Sequence, residues 1–266
     1  MILILAAIFF IFGLIIGSFL NVVIIRLNTQ KSFSGRSGCM TCQHTLSWYE
    51  LIPVFSFLFL QGRCLKCKTK ISSQYLLVEF ITGLIFVFLF LKFQDVFFFN
   101  TLTFSFIYAY YAVVFSLLIV MAVYDLKHKI IPDILSFVLG ILAFGGLFFF
   151  NTNDSSVFSV FSLHLPTLLG FLSGPIIAIP FVFLWLVSSG RWMGLGDAKL
   201  AISLGWLLGL SLAFSGMIFA FWIGAIVGLF LVIFSNKKYG IKSEIPFAPY
   251  LVLGALLAFL FDLHLF

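Results

Sequence analysis

The chain has 266 residues, of which 63% are hydrophobic and only 9% are charged, and its mean hydropathy is +1.23. A soluble domain carries about 25% charged residues, so this composition excludes a water-soluble globule and predicts a membrane protein. The net charge of +6 is consistent with membrane topology and contact with anionic lipid, and we expect no nucleic-acid partner.

Apolar segments recur along the whole chain, and a helix that crosses a membrane needs about 20 mostly apolar residues. Eight segments are candidates for such helices, and they cover residues 2–25, 75–93, 101–124, 132–150, 165–189, 198–212, 214–235 and 247–265. The run 198–235, in which Lys199 is the only charged residue, is too long for one crossing, which is why we divide it. The sequence therefore predicts an all-α polytopic membrane protein with about eight transmembrane helices.

Lys and Arg residues fall in alternate connectors of this arrangement. Seven lie in connector 26–74, two each in 125–131 and 190–199, and three in 236–246, so these connectors hold 14 of the 15 basic residues. Because cytoplasmic connectors are enriched in Lys and Arg, we expect all four in the cytoplasm and both termini outside. This topology divides the chain into three parts, namely a first transmembrane helix (1–25), a cytoplasmic loop (26–74) and a seven-helix membrane catalytic domain (75–266).

The cytoplasmic loop holds all four cysteines, arranged as two Cys-x-x-Cys pairs. The pairs are Cys39 with Cys42 and Cys64 with Cys67. Two such pairs supply four thiolates, the ligand set of a structural zinc site with no position left for a catalytic water. Disulfides and free thiols are the alternatives, and a reducing cytoplasm disfavours disulfides. We therefore predict that these four cysteines bind Zn²⁺.

A second feature of the loop is the apolar segment between the two cysteine pairs, from Trp48 to Leu60. This segment is too short to cross a bilayer as a helix. We expect it either to lie in the membrane interface or to pack on the helix bundle.

Two aspartates lie at predicted helix ends on the cytoplasmic side. Asp125 closes the third apolar segment and Asp197 opens the sixth, at a depth where an ionisable group is costly. Two neighbouring carboxylates share one proton over a useful pH range, so one can activate water while the other polarises a carbonyl, as in aspartic proteases. Gly194 and Gly196 would leave room for an extended substrate. Alternatively each aspartate serves only its helix end, which suits Asp197 in a first turn but not Asp125 at a C-terminus.

The short motifs of this chain, taken in order, resemble those of type IV prepilin peptidases over nearly the whole length. They are Gly17-Ser18-Phe19-Leu20-Asn21, the paired cysteines, Tyr75 with Val78-Glu79, Asp125 to Asp133, Met193 to Leu200, and Ile245 to Tyr250. A lone Gly-x-Gly-Asp motif also occurs in other intramembrane aspartyl proteases such as presenilin. The ordered set is much more specific.

This resemblance implies a membrane aspartic endopeptidase of the bacterial inner membrane. Such an enzyme removes the basic leader of prepilins or pseudopilins by cleavage after a glycine at the cytoplasmic membrane face. Asp125 and Asp197 match the catalytic pair of the family, and we expect Gly194, Gly196 and Lys199 to support the catalytic site around this pair. Asp133, which follows Pro132, is expected to begin the fourth helix rather than to act as a third catalytic group.

Members of the family with the large cysteine-containing loop commonly also methylate the new N-terminus, using S-adenosylmethionine. The resemblance therefore implies this second activity and its methyl donor. Glu50 and Glu79 are candidate contacts of the donor, with solvated surface or helix-start roles as the alternative. Asn28, Gln74 and Leu76 depart from the family pattern beside the loop, which weakens the methyltransferase expectation.

Three other functions compete with this interpretation. The chain could be a peptidase without methylation, a proton-coupled transporter, or a structural anchor whose cysteine loop binds a partner. A transporter of this size typically has charges near the middle of the bilayer and repeated halves, whereas both aspartates here lie at one face and no repeat is evident. An anchor would leave both aspartates without a role.

Overall fold

The computed structural model describes residues 1–29, 35–150, 165–234 and 245–265. In this part of the chain the regular secondary structure is helical, with two isolated β-bridges at Gly38–Thr45 and Arg63–Lys70. The helical class that the composition predicted is confirmed there. The chain forms two compact units, Met1–Val120 and Met121–Phe266, and their boundary falls within a long helix.

The first unit contains two long helices and several short ones before that boundary. In chain order these are α1 (Ile2–Arg26), a 3₁₀ helix (Trp48–Leu51), α2 (Phe55–Phe59), α3 (Gln74–Lys92), α4 (Gln94–Phe99) and the first part of α5 (Thr101–His128). Helix α1 packs closely along α3, because a Cβ atom at Gly17 would lie only 2.7 Å from the Cα atom of Glu79. Small residues at such a spacing let helix backbones approach in membrane proteins.

The second unit contains the end of α5 and four further helices. These are α6 (Asp133–Phe149), α7 (Leu168–Ser188), α8 (Leu195–Phe234) and α9 (Ala248–Phe261). Helix α7 packs on α8 where the Ser173 hydroxyl donates a hydrogen bond of 2.8 Å to the Gly205 carbonyl. Helix α8 packs on α9 at Gly216 and Gly254, which leave no space for a side chain between them.

Five of the described helices are long and apolar enough to cross a membrane, namely α1, α3, α5, α7 and α8, and α6 and α9 are shorter apolar helices. Helix α8 has 40 residues, about twice the number that one crossing of a hydrocarbon core needs. Gly209 interrupts it with a non-helical backbone (φ 76°, ψ 170°). The sequence predicted this break between residues 212 and 214, and the structure places it at Gly209. Glycine adopts a positive φ more easily than any other residue.

Candidate active site and metal centre

A cavity of about 450 Å³ opens in the second unit, and both predicted catalytic aspartates line it. Three stretches of chain contribute to its walls. They are the end of α5 with its connector (Asp125 and 129–131), the segment that leads into α8 (190–197) and the segment that leads into α9 (245–247). The cavity thus brings together groups that are separated by up to about half of the sequence.

Asp125 lies in the last turn of α5 and is buried, with 5% of its surface exposed. Its Oδ2 atom accepts a hydrogen bond of 3.2 Å from the backbone N–H of Ala248, the first residue of α9. A negative charge is unfavourable at a helix C-terminus and favourable at a helix N-terminus. The hydrogen bond from the N-terminus of α9 therefore offsets the unfavourable position of the Asp125 carboxylate at the C-terminus of α5.

Asp197 is the third residue of α8, and its backbone N–H donates to the Gly194 carbonyl at 3.3 Å. The side chain is half-buried and close enough to Asp125 for the two carboxylates to interact electrostatically. In addition, the side-chain carboxylate of Asp197 accepts a hydrogen bond from the backbone of Gly194. Both aspartates thus line one cavity and interact electrostatically, and two like charges in one site disfavour simultaneous ionisation.

The two glycines before Asp197 serve different purposes. A Cβ atom at Gly196 would lie 3.0 Å from the Cβ atom of Ile131, so this glycine lets the connector after α5 approach the start of α8. At Gly194 the nearest atoms to such a Cβ are 3.9 Å and 4.0 Å away, and the second of these is an Asp197 carboxylate oxygen. Gly194 thus leaves open space beside the carboxylate, where a substrate backbone could pass.

Lys199 and Asp133, which also line the cavity, form an ion pair with each other. Both side chains are well exposed, at 51% and 79%. Asp133 is the first residue of α6, as the sequence predicted, and Pro132 is its N-cap. The lysine therefore links the start of α6 to the first turn of α8 on the open side of the cavity.

Ala248 is the site residue that sequence reasoning did not identify. The motif Ile245 to Tyr250 stood out as family-like, but we could give it no role from the sequence. Pro249 in the first turn of α9 was the available signal, because proline marks helix N-termini, and helix N-termini bind anions. Which anion it faces, Asp125, depends on the tertiary structure.

The four cysteines of the first unit form one compact cluster, in which all four Sγ atoms lie within 4.8 Å of one another. Cys39 is 3.7 Å from Cys67, and Cys42 is 4.0 Å from Cys64, measured between Sγ atoms. A tetrahedral site with Zn–S bonds of about 2.3 Å has ligand separations of about 3.8 Å. The thiols therefore fit a tetrahedral zinc ion.

Each cysteine pair lies on the same short backbone pattern. The N–H groups of Cys39 and Cys64 donate at 2.9 Å to the carbonyls five residues later, at His44 and Thr69. The residue after each second cysteine, Gln43 or Lys68, has a left-handed φ of 56° or 59°. The two knuckles are thus local structures, and each one directs two thiols toward the same point.

The protonation of two thiols differs in the cluster. The side chain of Thr69 hydrogen-bonds the Cys67 sulfur at 3.1 Å and lowers the pKa of this thiol to about 6. At Cys42 a backbone hydrogen bond from His44 opposes a rise, but burial and the neighbouring thiols raise the pKa to about 11. A divalent cation would favour the thiolate form at all four positions, which is the chemistry that this donor set suits.

The two candidate glutamates are both buried at 7% exposure, so the solvated-surface alternative is wrong for them. Glu50 accepts a hydrogen bond of 2.8 Å from the Ser47 N–H and completes a capping box, which supports its helix-start alternative. Glu79 accepts a hydrogen bond of 2.7 Å from the Val54 N–H. The Oε1 atom of Glu50 has no hydrogen-bond partner among the described residues.

Comparison with known proteins places these observations in one family. A sequence profile described as the Type IV leader peptidase family matches residues 112–233, and one described as the Bacterial Peptidase A24 N-terminal domain matches residues 11–93. A prepilin leader peptidase/N-methyltransferase of Bacillus subtilis is 34% identical to this chain, covering 96% of the chain and 94% of that protein. The chain belongs to the type IV leader peptidase family.

Other members of the type IV leader peptidase family carry the same name. Those of Aeromonas salmonicida and Pseudomonas aeruginosa are both 29% identical to this chain. The matches cover 94% and 93% of the chain and 89% and 87% of the respective proteins. No solved structure matches the chain. The match to residues 112–233 includes both aspartates, and the match to residues 11–93 includes all four cysteines. The aspartates and the cysteines therefore lie within sequence that is typical of the family.

Proposed function

We propose that this chain is a membrane-embedded aspartic endopeptidase that removes the basic leader from type IV prepilins or pseudopilins and then methylates the new N-terminus. The observation that carries the proposal is the cavity that Asp125 and Asp197 share, in a chain of the type IV leader peptidase family. The relatives named above are prepilin leader peptidases/N-methyltransferases, which supports both activities.

In the proposed cleavage, one carboxylate takes a proton from a water molecule, and the resulting hydroxide attacks the carbonyl carbon of the scissile bond. The other aspartate, in its protonated form, donates a hydrogen bond to the carbonyl oxygen and polarises it. The aspartate that took the proton from water then donates it to the nitrogen of the departing chain, and the carbon–nitrogen bond breaks. The hydrogen bond from the Ala248 N–H holds Asp125 in place, and Gly194 provides space for the extended substrate beside Asp197.

The proposed topology has eight transmembrane helices in the bacterial inner membrane, with both termini outside and the aspartates at the cytoplasmic face. Its parts are the first transmembrane helix (1–25), the cytoplasmic zinc-binding loop (26–74) and the seven-helix membrane catalytic domain (75–266). The length of α8 and its interruption at Gly209 support two crossings between residues 195 and 234. The basic connectors support the orientation. Cleavage then takes place where a substrate helix leaves the membrane.

The proposed metal is Zn²⁺, bound by Cys39, Cys42, Cys64 and Cys67 in a structural role, because four thiolates complete a tetrahedron. The proposed methyl donor is S-adenosylmethionine, which supplies an activated methyl group to the new amine. Glu50 has an unused buried carboxylate oxygen that could hold a cationic group of the donor, so it stays a candidate contact. Glu79 uses an oxygen to hold Val54, so we propose a positioning role for it.

A cleavage assay tests the proposal directly. The purified protein is reconstituted in lipid and given a peptide with a basic leader, a glycine and an apolar run. We expect Asp125→Asn and Asp197→Asn each to lower the cleavage rate by about 10²–10⁴-fold. Asp262→Asn is a matched control, since Asp262 is exposed at the end of α9 in a left-handed conformation that asparagine tolerates.

The same preparation separates the two activities. When a peptide that already lacks its leader is offered with labelled S-adenosylmethionine, the wild type and both aspartate variants should methylate it. Cleavage that persists in either aspartate variant contradicts the proposed catalytic pair. Cleavage without methylation would identify the chain as a peptidase only.

A further inference from the structure

The segment Trp48–Phe59, between the two cysteine knuckles, exposes apolar side chains and buries its carboxylate, which is the opposite of a loop in water. Seven of its apolar side chains are exposed, and they are Trp48, Tyr49, Leu51, Ile52, Phe55, Leu58 and Phe59. Its one acidic residue, Glu50, has a side chain that is only 1% exposed. An exposed apolar patch of this kind indicates an apolar environment outside the protein.

A buried carboxylate fixes the depth of this segment relative to α3. The Glu79 Oε2 atom accepts a hydrogen bond of 2.7 Å from the N–H of Val54, at the centre of the segment. Glu79 is five residues from the start of α3, which is about 7.5 Å along the helix axis. Amphipathic segments that lie in a membrane surface reach about 5–10 Å below the headgroups. A membrane surface at the start of α3 would therefore place the point of attachment, Val54, within this range.

The backbone of Val54 shows that this attachment is specific. Val54 has a φ of 61°, which is rare for a β-branched residue. It separates the 3₁₀ helix from α2, so the chain turns sharply at the point that Glu79 holds. A backbone that is kept in such a conformation has to be stabilised by its surroundings.

The chemistry around the patch fits a lipid surface. Trp48 and Tyr49 are residue types that concentrate at membrane–water interfaces. The second knuckle follows the patch directly and exposes the basic side chains of Arg63, Lys66, Lys68 and Lys70. Each basic residue near an anionic membrane contributes about 1 kcal/mol of attraction.

We propose that Trp48–Phe59 is a membrane-interface anchor that inserts its exposed apolar side chains among the lipid headgroups and upper acyl chains. The anchor lies between the knuckles in sequence, so its insertion keeps the cysteine cluster at the membrane surface. This inference depends on membrane insertion of α3 and not on the proposed enzymatic activity. It decides between the two locations that the sequence left open for this segment.

Depth-dependent quenching of tryptophan fluorescence tests the anchor. The full-length protein and Trp48→Phe are reconstituted in vesicles whose acyl chains carry bromine near the headgroup or near the methyl end. The difference between the two proteins isolates the Trp48 signal. We expect shallow bromine to quench this signal several-fold more than deep bromine, and aqueous acrylamide to have little effect. Phe59→Glu should reduce the shallow quenching several-fold, whereas Gln61→Glu, an equal charge change at an exposed polar residue, should leave it unchanged.

Two results would overturn the proposal. Quenching by acrylamide and not by brominated lipid would place Trp48 in water. Quenching by neither would show that protein covers the patch, either a second copy or a bound substrate. The metal content of Phe59→Glu and Gln61→Glu, measured in the same preparations, controls for damage to the knuckles.

Discussion

In the first unit, the four cysteines come from two copies of one local backbone pattern, whereas in the second unit the cavity draws on three distant stretches of chain. Each knuckle closes with hydrogen bonds between residues at most nine apart, and only the meeting of the two knuckles requires longer-range packing. Asp125, in contrast, is held by a hydrogen bond from a residue 123 positions away. The cysteine knuckles are thus local structures, whereas the proposed active site is a tertiary one.

This contrast predicts different responses to damage. Loss of a cysteine should be severe but confined to its loop, because the proposed metal would join the two knuckles through all four thiolates. Changes around the cavity should act through the helix packing that brings the aspartates together.

Removal of the metal should have the largest structural effect. Cys64 is 3% exposed, and Cys64→Ser should lose bound zinc and unfold residues 39–70, since structural zinc contributes about 10–16 kcal/mol in small domains. Amide hydrogen exchange should rise to the rate of an unfolded chain over residues 39–70. It should stay unchanged over 195–208, the part of α8 before Gly209, which lies in the second unit. A chelator should reproduce the effect in the wild type, and added zinc should reverse it. Full zinc content in the variant contradicts the four-thiolate site.

Ala248→Pro should have the next largest effect, and on catalysis. Proline removes the N–H that binds Asp125 and is tolerated at the first position of a helix, but it also disfavours the αR conformation of Phe247 before it. A hydrogen bond to a charged group contributes about 1.5–3 kcal/mol, so kcat should fall by about 10–100-fold. KM should stay unchanged because this group contacts the aspartate and not the substrate.

Ala248→Gly keeps the N–H and is the matched control for this substitution. Its kcat should stay close to that of the wild type. If Ala248→Pro and Ala248→Gly have the same kcat, the hydrogen bond to Asp125 has no catalytic role.

Gly254→Ala should destabilise the second unit. A methyl group at Gly254 would overlap the Gly216 carbonyl of α8, and overpacking of this kind costs about 1–3 kcal/mol. Gly145→Ala is the control, because no atom lies within 4 Å of its added Cβ and alanine favours a helix. Thermal unfolding in detergent should show a lower Tm for the first variant only. Equal Tm values would show that α8 and α9 do not pack as closely as described.

Lys199→Met should have the smallest effect. The lysine pairs with Asp133 on the open side of the cavity, and exposed ion pairs contribute less than about 1 kcal/mol. The cleavage rate should therefore fall less than tenfold. A loss as large as that of Asp125→Asn would mean that Lys199 acts on the reacting groups, and the assay of cleavage rates distinguishes the two cases.

Much of the fold followed from the sequence because lipid imposes a simple pattern. The apolar segments match the helices α1, α3, α5, α6, α7, α8 and α9. The misplaced break in α8 shows the limit of this pattern. Residues 205–215 are uniformly apolar or small, so hydropathy does not mark Gly209 as the interruption.

The two glutamates show a second limit. Glu50 and Glu79 were candidate donor contacts with surface roles as an alternative, and both are buried with backbone partners. The loop position of Glu50 suggests a solvated side chain from sequence alone, because the backbone N–H group that binds it belongs to a neighbour whose conformation is unknown. The left-handed Val54 that Glu79 holds has no sequence signature, since valine is the residue type least expected there.

The sequence by itself determined the membrane class, the cysteine spacing that fits a tetrahedral metal site and the two aspartates at helix ends. These features are readable because hydropathy and short spacings are local properties. Only the tertiary structure decided that both aspartates line one cavity, that the start of α9 supplies a hydrogen bond to Asp125, and that an apolar loop segment faces outward while its glutamate is buried. These are decided by packing between segments far apart in the chain, which no local pattern encodes.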